Sequence, residues 1–218
     1  MSWLLKFWGS TVGKKVVMAV TGIMLVGFVF AHMLGNLQMF RSADAMNDYA
    51  AFLKSTGELL WVARAGLFAA AVLHIVSAVQ LTLINRAARP TEYAKRESQV
   101  STLASRTLRV GGVILAVFIV YHLGHFTFGT FHPAFSHTGV YGNVIIGFQS
   151  PWVVLFYVVA MAALGMHLFH GVWAGFRTLG LQKRSASPIQ RSAALWVAII
   201  VWAGFTAIPV AVLLGILN

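Results

Sequence analysis

Residues 151–178 read PWVVLFYVVAMAALGMHLFHGVWAGFRT, and this stretch decides the fold. No Asp, Glu, Lys or Arg interrupts it before Arg177. As a helix it is about 40 Å long, enough to cross the roughly 30 Å hydrocarbon core of a bilayer. Pro151 stands at its start, where a helix tolerates the missing N–H. Yet His167 and His170 lie well inside it. A membrane interior rarely keeps an ionisable side chain that has no use.

Four more stretches, at 16–39, 58–84, 108–130 and 193–216, are long and apolar enough to span. The expected fold class is therefore all-α: an integral membrane bundle of five transmembrane helices, one domain over residues 1–218. Composition agrees. The chain is 59% hydrophobic and 10% charged, against roughly 25% charged in soluble domains. Lys6, Lys14 and Lys15 before the first stretch resemble the charged start of a signal peptide. The apolar run is longer than a signal's core and no small-residue cleavage site follows, so a retained helix is expected.

The charge is +11. Of the 16 Lys and Arg, all but Arg41, Lys54 and Arg64 fall at the N-terminus or in the second and fourth connections. That alternation predicts a cytoplasmic N-terminus and an outer C-terminus. It assigns the basic residues to a membrane surface, with no nucleic acid partner. Cysteine is absent. The chain itself therefore offers no disulfide, no thiolate-held iron–sulfur cluster and no covalent haem attachment.

Histidines recur in the other spans: His32, His74 and His122, beside His167. Helices one and three run outward and helices two and four run inward. Counted from the expected boundaries, His32 and His122 lie roughly 21–24 Å from the cytoplasmic edge, and His74 and His167 roughly 15–17 Å. Depth thus sorts them into an outer pair, His32 with His122, and an inner pair, His74 with His167. Two pairs of imidazoles suit two haems with paired axial histidines. Gly22 and Gly112 each precede an outer histidine by ten residues, and Gly27, Gly35, Gly124, Gly165 and Gly171 would let a flat macrocycle or a backbone approach. His125 and His170 each lie three residues beyond a proposed ligand, near the same helical face, and either is an alternative ligand. His132 and His137, in the outer connection, are expected to be solvated.

At these residues the chain resembles the cytochrome b membrane anchor of succinate dehydrogenases and fumarate reductases, in its single-chain, five-helix, dihaem form. The matching stretches are Thr21-Gly22 with His32 to Asn36, Leu73-His74-Ile75 after Arg64, Gly112 with Tyr121-His122-Leu123, and His167-Leu-Phe-His-Gly171-Val-Trp173. The resemblance favours His122 over His125 and His167 over His170. It implies a proximal haem on His74 and His167, near the cytoplasmic face, and a distal haem on His32 and His122.

The resemblance further implies two non-covalent haems b, a quinone (menaquinone) as substrate, a bacterial cytoplasmic membrane, and two partners on the cytoplasmic side. A flavoprotein subunit oxidises succinate, and an iron–sulfur subunit passes the electrons to this anchor. Reduction of a quinone needs protons as well as electrons, so hydrogen-bonding groups near the outer boundary are candidates: Arg41, Glu58, Arg64, Asn36 and Gln38. Glu58 is a candidate proton carrier and Arg64 a candidate propionate partner. Some fumarate reductases of this type carry a glutamate two residues before the fourth ligand; here that position is Gly165, which tilts the expectation toward succinate oxidation. The alternatives are quinol oxidation coupled to fumarate reduction, a transporter or channel using a histidine relay, and a haem-free anchor.

Overall fold

A computed structural model describes residues 2–88, 103–181 and 187–218. Arg89, Lys95, Arg96, Lys183 and Arg184, which carry part of the expected charge bias, lie outside the described residues. Among those described there is no strand. The elements are α1 (Trp3–Gly9), α2 (Thr11–Asn36), a 3₁₀ turn (Leu37–Phe40), α3 (Ala43–Ser55), α4 (Glu58–Ala87), α5 (Leu103–Phe126), α6 (Val140–Gly147), α7 (Pro151–Thr178) and α8 (Ser187–Leu213). Helices α2, α4, α5, α7 and α8 are long and apolar enough to cross a membrane, as the sequence predicts.

Their ends differ from the hydropathy boundaries for local reasons. Helix α2 begins five residues early because Ser10 caps it, accepting the N–H of Gly13 at 2.9 Å. Lys14 lies inside its first turn, buried, with Nζ on the carbonyl of Trp8. Helix α5 stops at Phe126 because the N–H groups of Thr127 and Phe128 both turn back to the Leu123 carbonyl and Gly129 takes φ +74°. Helix α8 stops at Leu213, with Gly215 at φ +69° and Ile216 bonded back to Ala211.

Small residues bring α7 and α8 together. Ala160, Ala163, Ala194 and Ala198 are all buried, and Val201 is fully enclosed. In lipid, close approach of this kind supplies the packing that water-driven burial supplies elsewhere. Helix α2 packs on α4, α7 and α8, and α5 packs on α7. Large apolar side chains such as Phe68, Val113, Val120 and Leu155 face outward, as lipid contact requires.

Two short helices absent from the hydropathy reading close one end. Helix α3, capped by Ser42, packs on α6. Asn47 Oδ1 accepts the N–H of Tyr141 at 3.0 Å, Lys54 Nζ donates to the carbonyl of His137, and the Tyr141 hydroxyl donates to the carbonyl of Asn218 at 3.2 Å. The first and third connections and the C-terminus therefore share one end of the bundle.

Candidate functional site

The four span histidines meet in two pairs. The rings of His32 and His122 have centroids 5.9 Å apart, and those of His74 and His167 are 6.2 Å apart. All four are half-buried. Two imidazoles holding one ion from opposite sides, with metal–nitrogen bonds of about 2.0–2.1 Å, have centroids about 6.4 Å apart. Both separations suit that arrangement. The helices carrying each pair, α2 with α5 and α4 with α7, do not pack closely on one another. Each pair of rings thus reaches across a gap between helices. Among the described residues no three or more His, Cys, Asp or Glu side chains converge as a metal site. Two facing imidazoles in each pair fit a macrocycle that would bring its own four nitrogens.

Hydrogen bonds orient two of the four rings, those of His74 and His122. Nδ1 of His74 lies 3.0 Å from the carbonyl of Met18 and 3.3 Å from Oγ1 of Thr21. A carbonyl can only accept, so Nδ1 carries the proton and Nε2 keeps its lone pair free for a metal. Thr21 Oγ1 donates to the carbonyl of Val17 at 2.7 Å, which leaves its lone pair for His74. His167 Nδ1 is buried without a partner. His32 is stacked on Phe28, with centroids 5.3 Å apart, and tilted against Phe205. His122 Nδ1 lies 3.3 Å from the hydroxyl of Tyr157.

The alternative ligands sit elsewhere. His125 is 1% exposed, packed on Phe126 and Phe148, with Nδ1 3.0 Å from the same Tyr157 hydroxyl. The ring that meets His32 is that of His122. Likewise the ring that meets His74 is that of His167, while His170 is half-buried one turn further along α7. His132 is not simply solvated. Its Nδ1 accepts the N–H of Ala134 and its Nε2 lies 2.8 Å from the carbonyl of Asn143, so both nitrogens are used. The ring of His137 packs edge-on against Phe135.

The depth of the pairs is better read from contacts than from span boundaries. A Cβ at Gly22 would lie 3.3 Å from the His74 ring, so His74 stands level with Gly22 on α2. His32 is ten residues further, about 15 Å along the axis. The boundary count gave a smaller step because hydropathy trimmed the helix ends. Gly22, ten residues before His32, thus serves the inner pair rather than the outer one. Gly111 lines a small cavity against Ala163 and His167. Gly35 lies under the Tyr49 ring, Gly124 under Phe131 and Gly165 against Trp202, so those three admit neighbouring side chains. Gly27, Gly112 and Gly171 have open space.

Counting back ten residues from His74 along antiparallel α4 reaches Arg64, about level with His32. Arg64 is exposed, its guanidinium 5.0 Å from the centre of the Trp61 ring. Glu58 is exposed in the first turn of α4. Arg41 donates to Gln38 Oε1 at 3.0 Å, and Asn36 Nδ2 donates to the carbonyl of His32 at 2.9 Å. Sequence reasoning missed Tyr157, Met18 and Thr21 as partners of the histidines. A tyrosine deep in an apolar span was a readable signal; a backbone carbonyl gives none.

A family model described as succinate dehydrogenase/fumarate reductase transmembrane subunit matches residues 84–207. The chain belongs to that family. No curated protein and no solved structure matches it. The matched region covers α5 and α7, with His122 and His167, and leaves His32 and His74 outside. Membership makes the chain a multi-pass membrane protein, part of an oxidoreductase complex and associated with the other subunits of that complex. It speaks against the histidine-relay transporter.

Proposed function

We propose that this subunit carries electrons from an iron–sulfur subunit through two non-covalent haems b to a quinone. His74 and His167 hold the proximal haem, and His32 and His122 hold the distal one. The observation that carries this reading is the ring separation in each pair, 6.2 and 5.9 Å across helices that do not pack closely. The haems would supply one-electron carriers between the one-electron centres of the iron–sulfur subunit and the two-electron quinone. The chain's own part is to fix the ligand rings. The Met18 carbonyl keeps the His74 proton on Nδ1 and leaves Nε2 for the iron.

The N-terminus faces the cytoplasm of a bacterial cell, since Lys6, Lys14, Lys15, Arg86, Arg106, Arg109, Arg177 and Arg191 flank the spans on that side. The flavoprotein and iron–sulfur subunits dock there, and the proximal pair lies nearer to them. Succinate gives up two electrons and two protons to become fumarate; quinone takes up two electrons and two protons to become quinol. Succinate oxidation is the favoured direction because residue 165 is a glycine backed by Trp202, with no carboxylate. Menaquinone is the proposed quinone. At the outer level Arg64 binds a haem propionate or the quinone, Glu58 delivers protons, and Asn36, Gln38 and Arg41 shape the approach.

Haem content of the purified complex tests this. A pyridine haemochrome assay should give two haems b per chain. His32→Ala and His122→Ala should lose one and the same redox component, and His74→Ala and His167→Ala the other. A colourless complex, or one haem at full loading, overturns the proposal; a haem retained in His122→Ala and lost in His125→Ala moves the distal ligand.

A further inference from the structure

Tyr157 stands between two histidines. Its hydroxyl is 3.3 Å from Nδ1 of His122 and 3.0 Å from Nδ1 of His125, and the residue is 5% exposed. Phe118 and Phe148 close on it edge-on, with centroids at 5.0 and 4.8 Å. His125 is held as firmly. Phe126 lies against its ring at 4.0 Å, and Gly147 gives it room where a Cβ would stand 2.9 Å from Nε2. None of the other three paired histidines shares a hydroxyl with a second histidine: His74 meets the Met18 carbonyl and the Thr21 hydroxyl, His167 Nδ1 has no partner, and His32 is flanked by Phe28 and Phe205.

Counting protons gives the trio a direction. A hydroxyl has one proton to donate and lone pairs to accept. If His122 Nδ1 carries a proton it donates to Tyr157, and the hydroxyl proton goes on to His125 Nδ1. If the hydroxyl donates to His122 instead, the proton of neutral His122 lies on Nε2, where it blocks a metal. With the His125 proton on Nε2, its Nδ1 is a buried acceptor for the hydroxyl, and the first arrangement is selected.

We infer that Tyr157, oriented by His125, is the positioning residue of the distal haem, fixing His122 with its proton on Nδ1 and its Nε2 free. This rests on the dihaem reading above. A ligand imidazole that donates through Nδ1 gives more electron density to its iron, which favours the ferric state and lowers the potential. The distal ligand is thereby held through a Tyr–His relay, and the proximal ligand His74 through the Met18 carbonyl with the Thr21 hydroxyl beside it.

Potentiometric titration of the haem bands in the intact complex tests it. In Tyr157→Phe the distal component should rise by about tenfold in its ferrous-to-ferric ratio at fixed potential, about 59 mV for one electron, with the proximal component unmoved. His125→Leu should raise it in the same direction, and His125→Asn, which keeps an acceptor, should restore it toward the wild-type value. These two carry the test if Tyr157→Phe does not assemble. Two haems with both potentials unchanged in Tyr157→Phe, or equal shifts in His125→Leu and His125→Asn, overturn the inference while leaving the dihaem reading intact. A wild-type complex with fewer than two haems overturns both.

Discussion

Gly22 on α2 faces the imidazole of His74 on α4: a methyl group at residue 22 would stand 3.3 Å from Cε1 and 3.6 Å from Nδ1 of that ring. The ring cannot retreat freely, because the Met18 carbonyl, one turn earlier on α2, holds Nδ1 at 3.0 Å. Gly22→Val should therefore turn His74 away from His167. The expected outcome is loss of the proximal haem, one of two per chain, with the distal potential intact, read by pyridine haemochrome and redox titration.

Thr21→Val separates the two partners of His74. The threonine hydroxyl is the longer contact, at 3.3 Å, and the carbonyl of Met18 remains to hold the ring. Both haems should stay. Stability should fall by about 1 kcal/mol, the usual net value of one hydrogen bond, measured as a lower midpoint when thermal bleaching of the haem band is followed.

Arg64 is about level with His32 by the antiparallel register of α2 and α4. Removing its positive charge in Arg64→Gln should favour the ferric distal haem, lowering that potential, and slow quinone reduction by about tenfold. Titration and succinate-dependent quinone reduction check it. An unchanged distal potential would take Arg64 out of the site.

Asn143 ties the outer connection. It is 4% exposed, its Oδ1 accepts the N–H of Ser136 at 2.8 Å, and its Nδ2 donates to the Ser136 carbonyl at 2.7 Å. Asn143→Ala removes both hydrogen bonds to Ser136, which is exposed and can turn to water, at about 0.5–1.5 kcal/mol each. Faster hydrogen exchange across residues 131–147 is expected, with both haems still present.

Much of this protein is legible in one dimension. Span length and the absence of charge are local properties, so five membrane helices follow from composition along the chain. His32, His74, His122 and His167 could be ordered by depth because a helix converts residue number into distance at a fixed rise. The rings that depth pairs do stand together in space. Helices α3 and α6 escaped because each is short, and their value lies in packing on one another.

What depth could not decide was which of two neighbours on one face turns inward. His122 and His125 lie three residues apart, and depth treats them alike; within the sequence only the family resemblance favours His122. The fold separates them: one ring meets His32, while the other is buried against Phe126 and Phe148.

The sequence by itself determined the number of crossings and which helix carries which histidine, because hydrophobic length and helical rise act along the chain. The tertiary structure alone decided that Gly22 serves His74 and not His32, that Tyr157 links His122 to His125, and that the pairs lie about 15 Å apart. Those facts depend on the register between helices, and register is set by side-chain packing between residues far apart in sequence.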